Sequence, residues 1–533
     1  MGVDRGRDGK EVASPTRDPP GSTVGVKHAL TTDSPVVGEM ATKLNELPTG
    51  HATPNQVLAQ GFMANAPLLC FGAVMTSAAV FAGGSLPLAY VLGAIVVWLW
   101  INTPFQYSKY LASSGGAFYM AAKSLGGLAG YWAGICYVLY YTAFSAAGAV
   151  YIGVAVPDLV RQLGWGSPPQ LLWVPLTIAA LVLPAVLLYS GVKPSLRYGL
   201  VTALIQVATL AITSLVIVIR AGHLNTARVF TPGLTLHHGF SGLGVGMLLA
   251  AFGMSGSTAT IFLGREANQP HATIRRALIG STAGVAVIFV FVAYALTIGW
   301  GPDRMSSFAG SAIPGLIVIG HYAGAFVEVV VALFLVNSVI AAVLSSAIVV
   351  TRTCHAMANA TLLPRWMRHV DERRSTPTNA VICWFVAALV AAIGAVLAWG
   401  TVTAFVVLIL VGTLGEFGGH LLLDFCLPVF AARRRVWRTT FSLLLPGASF
   451  ISIAFGVYYT FVPPAFPASV GLFAIGGALA LAALYYGLRR RRASPAERVA
   501  LTTAIDRTGV DLGAEGQVPG EQVQPAGLSR APS

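Results

Sequence analysis

Charge is what this sequence has least of. Only 10% of its 533 residues are Asp, Glu, Lys or Arg, against about a quarter in a soluble domain, and the acidic residues number 20. Because 55% of the residues are hydrophobic, the chain lacks the polar skin a soluble globule of this size needs. Cysteine is scarce as well. Cys70, Cys136, Cys354, Cys383 and Cys426 lie in or at the ends of apolar runs with no paired spacing, so neither a disulfide framework nor a metal site is indicated. There is no phosphate-cradling loop with its lysine, no Ser–His–Asp set and no metal-ligand constellation. That argues against an enzyme, a cofactor and a pump that carries its own ATP-driven motor. The first 50 residues are polar and charged without an apolar core, so no cleavable signal is expected and the first apolar span acts as the insertion signal.

Apolar runs long enough to cross a bilayer, roughly 20 residues each, recur from Val57 to Leu488. They predict an all-α polytopic membrane protein of about twelve transmembrane helices. The helices are expected near 57–84, 87–108, 124–156, 170–190, 197–220, 239–263, 275–300, 325–351, 378–399, 402–432, 441–462 and 468–488. Residues 1–56 and 493–533, rich in Pro, Gly, Ser, Thr and charge, read as disordered cytoplasmic tails flanking a membrane domain over 57–492. The net charge of +13 does not point to nucleic acid, since the basic residues fall between apolar spans. With the N-terminus cytoplasmic, the inner segments hold Lys109, Lys123, Lys193, Arg265, Arg352, Arg433 to Arg435 and Arg489 to Arg492, among others. The outer loops hold only Arg161, Arg220, Arg228 and Arg304. The separation persists to the last span, so both termini are expected on the cytoplasmic side of the inner membrane, with the terminal arginines as anchors to lipid headgroups.

Two spans carry helix-breaking chemistry at mid-length. Helix 1 reads Gly61-Phe-Met-Ala-Asn65-Ala66-Pro67, and helix 6 reads Phe252-Gly253-Met254-Ser255-Gly256-Ser257-Thr258. Proline removes a donor and glycine lowers the cost of leaving helical geometry. In lipid, freed backbone groups are tolerated only where they line a cavity or hold something. Interrupted spans at corresponding places in two halves point to a transporter's central site, and a spacing of five helices suits a five-plus-five inverted repeat. Small residues that only let helices pack closely are the plainer explanation. Amides freed near Gly253 to Gly256 suit a carboxylate at a helix N-terminus, and carbonyls near Asn65 suit an ammonium group. Asn65, Ala66, Pro67, Phe252, Gly253, Met254, Ser255, Gly256 and Ser257 are therefore the candidate substrate-binding residues. Helices 1, 3, 6 and 8 offer no central carboxylate for a cationic substrate, which favours a neutral one.

Three further stretches carry a resemblance. Ser113-Ser-Gly-Gly-Ala-Phe-Tyr119 with Leu125-Gly-Gly-Leu-Ala-Gly-Tyr-Trp-Ala-Gly134 leads into helix 3. Arg265-Glu266-Ala-Asn-Gln-Pro270 with Thr273-Ile-Arg-Arg276-Ala277 follows helix 6. Arg352, Ala356-Met-Ala-Asn359-Ala-Thr-Leu-Leu-Pro364 and Thr376-Pro-Thr-Asn379-Ala380 leave helix 8. In order and spacing the chain resembles the amino acid–polyamine–organocation transporters over most of its length. The resemblance implies a secondary transporter of amino acids across the plasma membrane by alternating access, with the same division of labour at the two breaks and Phe252 as an aromatic gate. The chain departs from the family where many relatives have Gly-Phe-Glu in helix 6: here stands Gly256-Ser257-Thr258. Arg265 replaces the first Glu of the next motif, and Asn359 replaces a common Arg. Transport of polyamines or other organic amines, a channel or membrane sensor on this scaffold, and a subunit serving another transporter stay open as alternatives.

The partners expected are a small-molecule substrate, membrane lipids and a coupling cation, either proton or sodium, with uncoupled exchange as the alternative. In some proton-coupled relatives a helix 5 lysine fills the cation place, and that place falls here on Gln206, which cannot titrate. Ser345 and Ser346 in helix 8 resemble the hydroxyl pair of sodium-coupled transporters of this fold, and oxygen suits a hard cation. Helix 10 carries Glu416, His420 and Asp424 on one face at spacing of four. Ionisable groups within a span are rare and often form proton paths. The blander alternative is a buried Glu–His pair with Asp424 at the cytoplasmic rim beside Arg433 to Arg435.

Overall fold

A computed structural model describes residues 47, 49–236, 240–309, 313–371, 373–492, 494, 503–506 and 508–512. Eleven helical segments among them are long and apolar enough to cross a membrane. The first, Pro54–Ser108, has 55 residues, about 80 Å of continuous helix at 1.5 Å per residue and far more than one bilayer. It is interrupted at Gly83, where φ is 52° and ψ −133°. No residue with a side chain adopts that conformation cheaply, and an added Cβ would also lie 2.6 Å from the Leu234 carbonyl oxygen. The segment therefore provides two passes, and the bundle has the twelve that the sequence predicts. The protein is a multi-pass membrane protein.

The spans are labelled in chain order. α1 comprises Pro54–Asn65, Pro67–Leu69, a π turn Cys70–Val74, and Met75–Ala82. α2 is Leu86–Ser108, α3 Gly127–Gln162, α4 Trp173–Tyr189 and α5 Val192–Ala221. α6 is Phe240–Met254 continued by a 3-10 run Ser255–Leu263, α7 is Pro270–Trp300 and α8 is Ala325–Asn359. α9 is Thr378–Trp399, α10 Thr401–Arg433, α11 Leu445–Phe461 and α12 Ala468–Arg492. Short helices Ala117–Leu125 and Pro314–Ala323 precede α3 and α8.

Several ends differ from the hydropathy reading because caps, not hydropathy, set them. α1 begins three residues early, at Pro54. There Thr53 accepts from the Gln56 amide while the Gln56 side chain accepts from the Thr53 amide at 3.0 Å, a reciprocal cap worth about 1 kcal/mol. The stretch expected as one helix from 124 is divided at Gly126 (φ 96°) into Ala117–Leu125 and α3.

The centre of the bundle is α3 against α10 and α8, with α1 and α6 beside them. Burial grades outward: 78% of the most apolar stretch of α6 is buried, against 28% for α4 and α11 and 17% for α12. The outward faces stay apolar. Leu204, Ile212, Leu215 and Ile219 of α5 are all more than half exposed, an i, i+8, i+11, i+15 stripe that lipid solvates at no cost. Polar groups turned inward find partners, as where Trp384 Nε1 donates to Ser145 Oγ at 3.2 Å.

Within the carboxyl-terminal stretch read from composition as disordered, residues 508–512 hold a defined structure. Strand β1, Leu111–Ser113, pairs antiparallel with β2, Gly509–Asp511. Ser113 Oγ donates to the Thr508 carbonyl at 2.6 Å, and the Leu512 amide donates to the Tyr110 carbonyl at 3.1 Å. Lys123 Nζ lies 2.9 Å from Asp506 and 3.1 Å from Asp511, and Arg434 pairs with Asp511. Burial pushes the Lys123 ammonium down, but the two carboxylates outweigh it and its pKa is raised. The pairing is therefore complete at neutral pH and is lost only as pH rises through that raised value. The strap supplies anions to basic residues left at the ends of the spans, and partners to an otherwise open strand edge. The ion pairs are partly exposed and worth about 1 kcal/mol or less each. Asp511→Asn is accordingly expected to raise limited proteolysis between 494 and 508 several-fold, with the wild-type chain following it at high salt. Equal cleavage rates for the two proteins in low salt would count against the strap.

Candidate transport site

The two sequence-breaking stretches meet. In α1 the break falls on Ala66, a left-handed residue with φ 44° and ψ 63°. A non-glycine residue there costs of order 1–3 kcal/mol. Pro67 explains the location, since proline pushes the residue before it out of the α region. In α6 the α-helix ends at Met254 (φ −102°, ψ 0°) and continues as a nine-residue 3-10 run, well beyond the usual three or four. Gly256 lies directly on the α1 backbone. A Cβ there would come 2.5 Å from the Ala64 carbonyl carbon and 2.6 Å from the Asn65 nitrogen. Only glycine permits this approach.

Asn65 joins the breaks. Its Nδ2 donates to the Gly61 carbonyl at 2.7 Å and to Ser257 Oγ at 3.2 Å, and its Oδ1 accepts from the Gly256 amide at 3.0 Å. The Cys70 thiol donates to the Asn65 carbonyl at 2.9 Å. The amide and carbonyl that the sequence reading leaves free for a ligand are thus satisfied by the protein itself, because polar groups this deep have no water to turn to. An asparagine side-chain carbonyl sits where a ligand's carboxylate oxygen is expected.

Beside the breaks opens a cavity of about 150 Å³. Of the nine candidate residues, Asn65, Phe252, Gly253 and Gly256 line it, while Ala66, Pro67, Met254, Ser255 and Ser257 lie buried behind them. The opposite wall is aromatic: Tyr140 and Phe144 from α3, Phe405 and Phe417 from α10, and Tyr459 from α11. Phe252 meets Phe417 edge to face, with centroids 6.3 Å apart. Cys70 and Thr413 are also among the lining residues. No lining residue carries a charge. The sequence reading missed this wall. Tyr137, Tyr140, Tyr141 and Phe144 do recur at helical spacing, a sign of one aromatic face on α3, but nothing local shows what that face meets.

The cavity extends to Ser77, Val245 and Thr460 at one end of the bundle. The other end is closed. There Ala52 exchanges backbone hydrogen bonds with Glu266 and Asn268, each at 2.9 Å. Phe262 packs on Gly116, and Gly264 on the Ser113 backbone. Arg352 Nε donates to Glu266 Oε1 at 3.0 Å, with both side chains fully buried. The three motif stretches that carry the resemblance converge on this closure.

The coupling candidates do not form one site. Gln206 Oε1 accepts from Ser338 Oγ at 2.6 Å, two turns of α8 away from Ser345. Ser345 Oγ donates to the Gln60 carbonyl of α1 at 3.4 Å, while Ser346 Oγ returns to the Ala342 carbonyl of its own helix. Asp424 is not at the rim. It is buried, accepting from Thr103 Oγ1 and Ser449 Oγ at 2.5 Å each, so it ties α10 to α2 and α11. Glu416 and His420 are fully buried and, among the described residues, their side-chain polar atoms make no hydrogen bond. Glu416 faces Ser255 and Tyr140, immediately behind the α6 break, so a carboxylate does approach the site from a helix the sequence reading did not place there.

Twelve passes around two facing helix breaks, open at one end and shut at the other, define a membrane transporter. Residues 66–463 match the amino acid permease family, and the chain belongs to that family, within the amino acid–polyamine–organocation superfamily. The chain is 28% identical over 325 residues to an uncharacterized transporter of Mycobacterium tuberculosis, covering 61% of this chain and 69% of the relative. It is 25% identical over 404 residues to a branched-chain amino acid permease of Lactococcus lactis subsp. cremoris, covering 71% of this chain and 82% of the relative.

Proposed function

We propose that this permease carries neutral amino acids with aliphatic or aromatic side chains across the cell membrane by alternating access, both termini cytoplasmic, in a five-plus-five inverted repeat. The observation that carries the reading is the uncharged aromatic cavity opening directly on the two breaks. A cationic side chain there would lose its hydration with no anion among the lining residues, whereas a branched aliphatic side chain gains about 25 cal/mol per Å² buried. The substrate's carboxylate takes the Gly256 amide from Asn65, and its ammonium takes the Asn65 carbonyl from Cys70. The relative named as a branched-chain permease supports the same substrate class. Phe252 is the gate between cavity and breaks, and alternation consists of closing the aromatic end while residues 264–268 and Arg352 part at the other.

For coupling, we favour protons through Glu416. A fully buried carboxylate facing the Ser255 and Tyr140 hydroxyls is costly to bury in its charged form, and Ser255 places it one contact from the substrate's seat. The sodium alternative rests on Ser345, whose hydroxyl reaches α1. Uptake of labelled leucine, valine and lysine into proteoliposomes tests both levels. Leucine or valine uptake should be driven by an inward proton gradient and be indifferent to sodium, and lysine should compete poorly. Glu416→Gln should abolish the gradient's effect while leaving leucine counterflow. Trans-stimulated exchange of lysine but not leucine would reverse the substrate reading, and a sodium requirement lost in Ser345→Ala would move coupling to α8.

A further inference from the structure

A second cavity, of about 140 Å³, lies at the closed end of the bundle, between the end of α2 and the turn from α10 to α11. Gln106, Lys109, Arg438 and Ser442 supply its polar lining, and Phe430 and Val436 lie among its apolar residues. Lys109 Nζ donates to Gln106 Oε1 at 2.7 Å and sits 5.0 Å above the Phe105 ring and 5.9 Å from that of Phe441, which holds its ammonium at the cavity. Among the described residues, the carboxylates toward this end are engaged elsewhere: Asp506 and Asp511 with Lys123, Asp511 also with Arg434, Glu266 with Arg352, Asp371 with Arg374, and the more deeply buried Asp424 with Thr103 and Ser449. Burial first, then the positive charges of Arg438 and Arg275, hold Lys109 below the usual lysine range. Like charges gathered around a half-buried space that none of the described carboxylates lines are a cost that a bound anion removes.

The surroundings say which anion. Trp437, Phe441, Leu443 and Leu444 beside the cavity are all exposed, and the Trp437 indole donates to Thr439 Oγ1 at 3.1 Å. Exposed aromatic and aliphatic side chains next to basic ones mark headgroup depth, with the aliphatic ones continuing into the hydrocarbon. The Ser442 hydroxyl accepts from the Arg438 amide at 3.3 Å and keeps its proton for a further acceptor.

We propose that this cavity seats the phosphate of an anionic phospholipid, held by Lys109 and Arg438 with Gln106 and Ser442 as neutral donors, its acyl chains lying along Phe441 and Leu444. A phosphate there bridges α2 to the α10–α11 turn, a junction otherwise tied by the Asn102 side chain donating to the Phe441 carbonyl at 3.0 Å.

The test is thermal unfolding of the full chain in neutral detergent, titrated with phosphatidylglycerol, with phosphatidylcholine, or with inorganic phosphate. Phosphatidylglycerol should raise the wild-type Tm saturably, and the other two should not. Two lost charges predict roughly a thirtyfold weaker half-saturation for Lys109→Gln/Arg438→Gln. Lys109→Arg should keep most of the effect. Lys193→Gln, in the exposed first turn of α5, should keep all of it. Equal protection of the double variant and wild type overturns the site, as does a loss as large in Lys193→Gln. Protection of wild type by inorganic phosphate, lost in the double variant and not matched by the lipid, would show a soluble anion as the occupant and overturn the lipid assignment.

Discussion

Gly256→Ala is expected to abolish uptake while the protein still reaches the membrane. The added methyl would lie 2.5–2.7 Å from backbone atoms of Ala64 and Asn65, and backbone cannot swing aside as a flexible side chain does. Separating α6 from α1 costs about 1–3 kcal/mol in overpacking. It also breaks the bond from the Gly256 amide to Asn65 Oδ1, leaving buried polar groups unpaired at about 1–3 kcal/mol more. The same amide is the proposed carboxylate donor, so ligand-induced thermal stabilisation should vanish with transport. Gly244→Ala, twelve residues earlier on α6, is the control. Among the described residues its Cβ would meet only the Phe455 ring, at 3.9 Å, and it should transport as wild type. Wild-type uptake by Gly256→Ala would place the substrate elsewhere.

Arg352→Met is expected to be the most destabilising single change at the closed end. Arg352 and Glu266 are both fully buried and paired at 3.0 Å, and Arg352 also donates to Thr351 Oγ1 at 3.2 Å. Removing one member leaves an uncompensated buried charge, at about 3–5 kcal/mol, whereas replacing both by apolar residues of similar size is often neutral or stabilising. In thermal unfolding, Arg352→Met and Glu266→Gln should each lower Tm, and Arg352→Met/Glu266→Leu should recover most of the loss. The double variant should still transport poorly, because the pair lies in the closed end of the bundle and its parting is part of the proposed cycle. Single variants as stable as wild type would mean that the pair contributes nothing to the closure.

Much of this architecture was legible without coordinates because it follows from local rules. Apolar runs set the passes, and the basic residues sort to alternate connections in a pattern that a miscounted pass would scramble. The break at Ala66 was legible because Pro67's missing N–H and its restriction of the preceding residue act within two positions, and the break near Gly256 because glycines lower the local cost of leaving helical geometry. The extra helix Ala117–Leu125 and the early start of α1 were missed because they depend on Gly126 and on the Thr53–Gln56 cap, which a hydropathy window averages away. The ordered segment at 503–506 and 508–512 was missed because its composition is that of a tail, and its partners are Lys123 and Arg434, far away in sequence.

The sequence by itself determined that the chain lives in lipid, where its helices run, and where two of them must open. Those facts depend on residue type and near neighbours alone. Only the tertiary structure decided which groups answer the opened backbone. Asn65 and Cys70 satisfy it from within, an aromatic wall from α3, α10 and α11 encloses the space, Asp424 is spent on Thr103 and Ser449, and Glu416 arrives behind Ser255. The physical reason is that a helix break is a property of a few consecutive dihedrals, whereas the partner of a freed amide, or of a buried carboxylate, is chosen by whichever distant segment packs there.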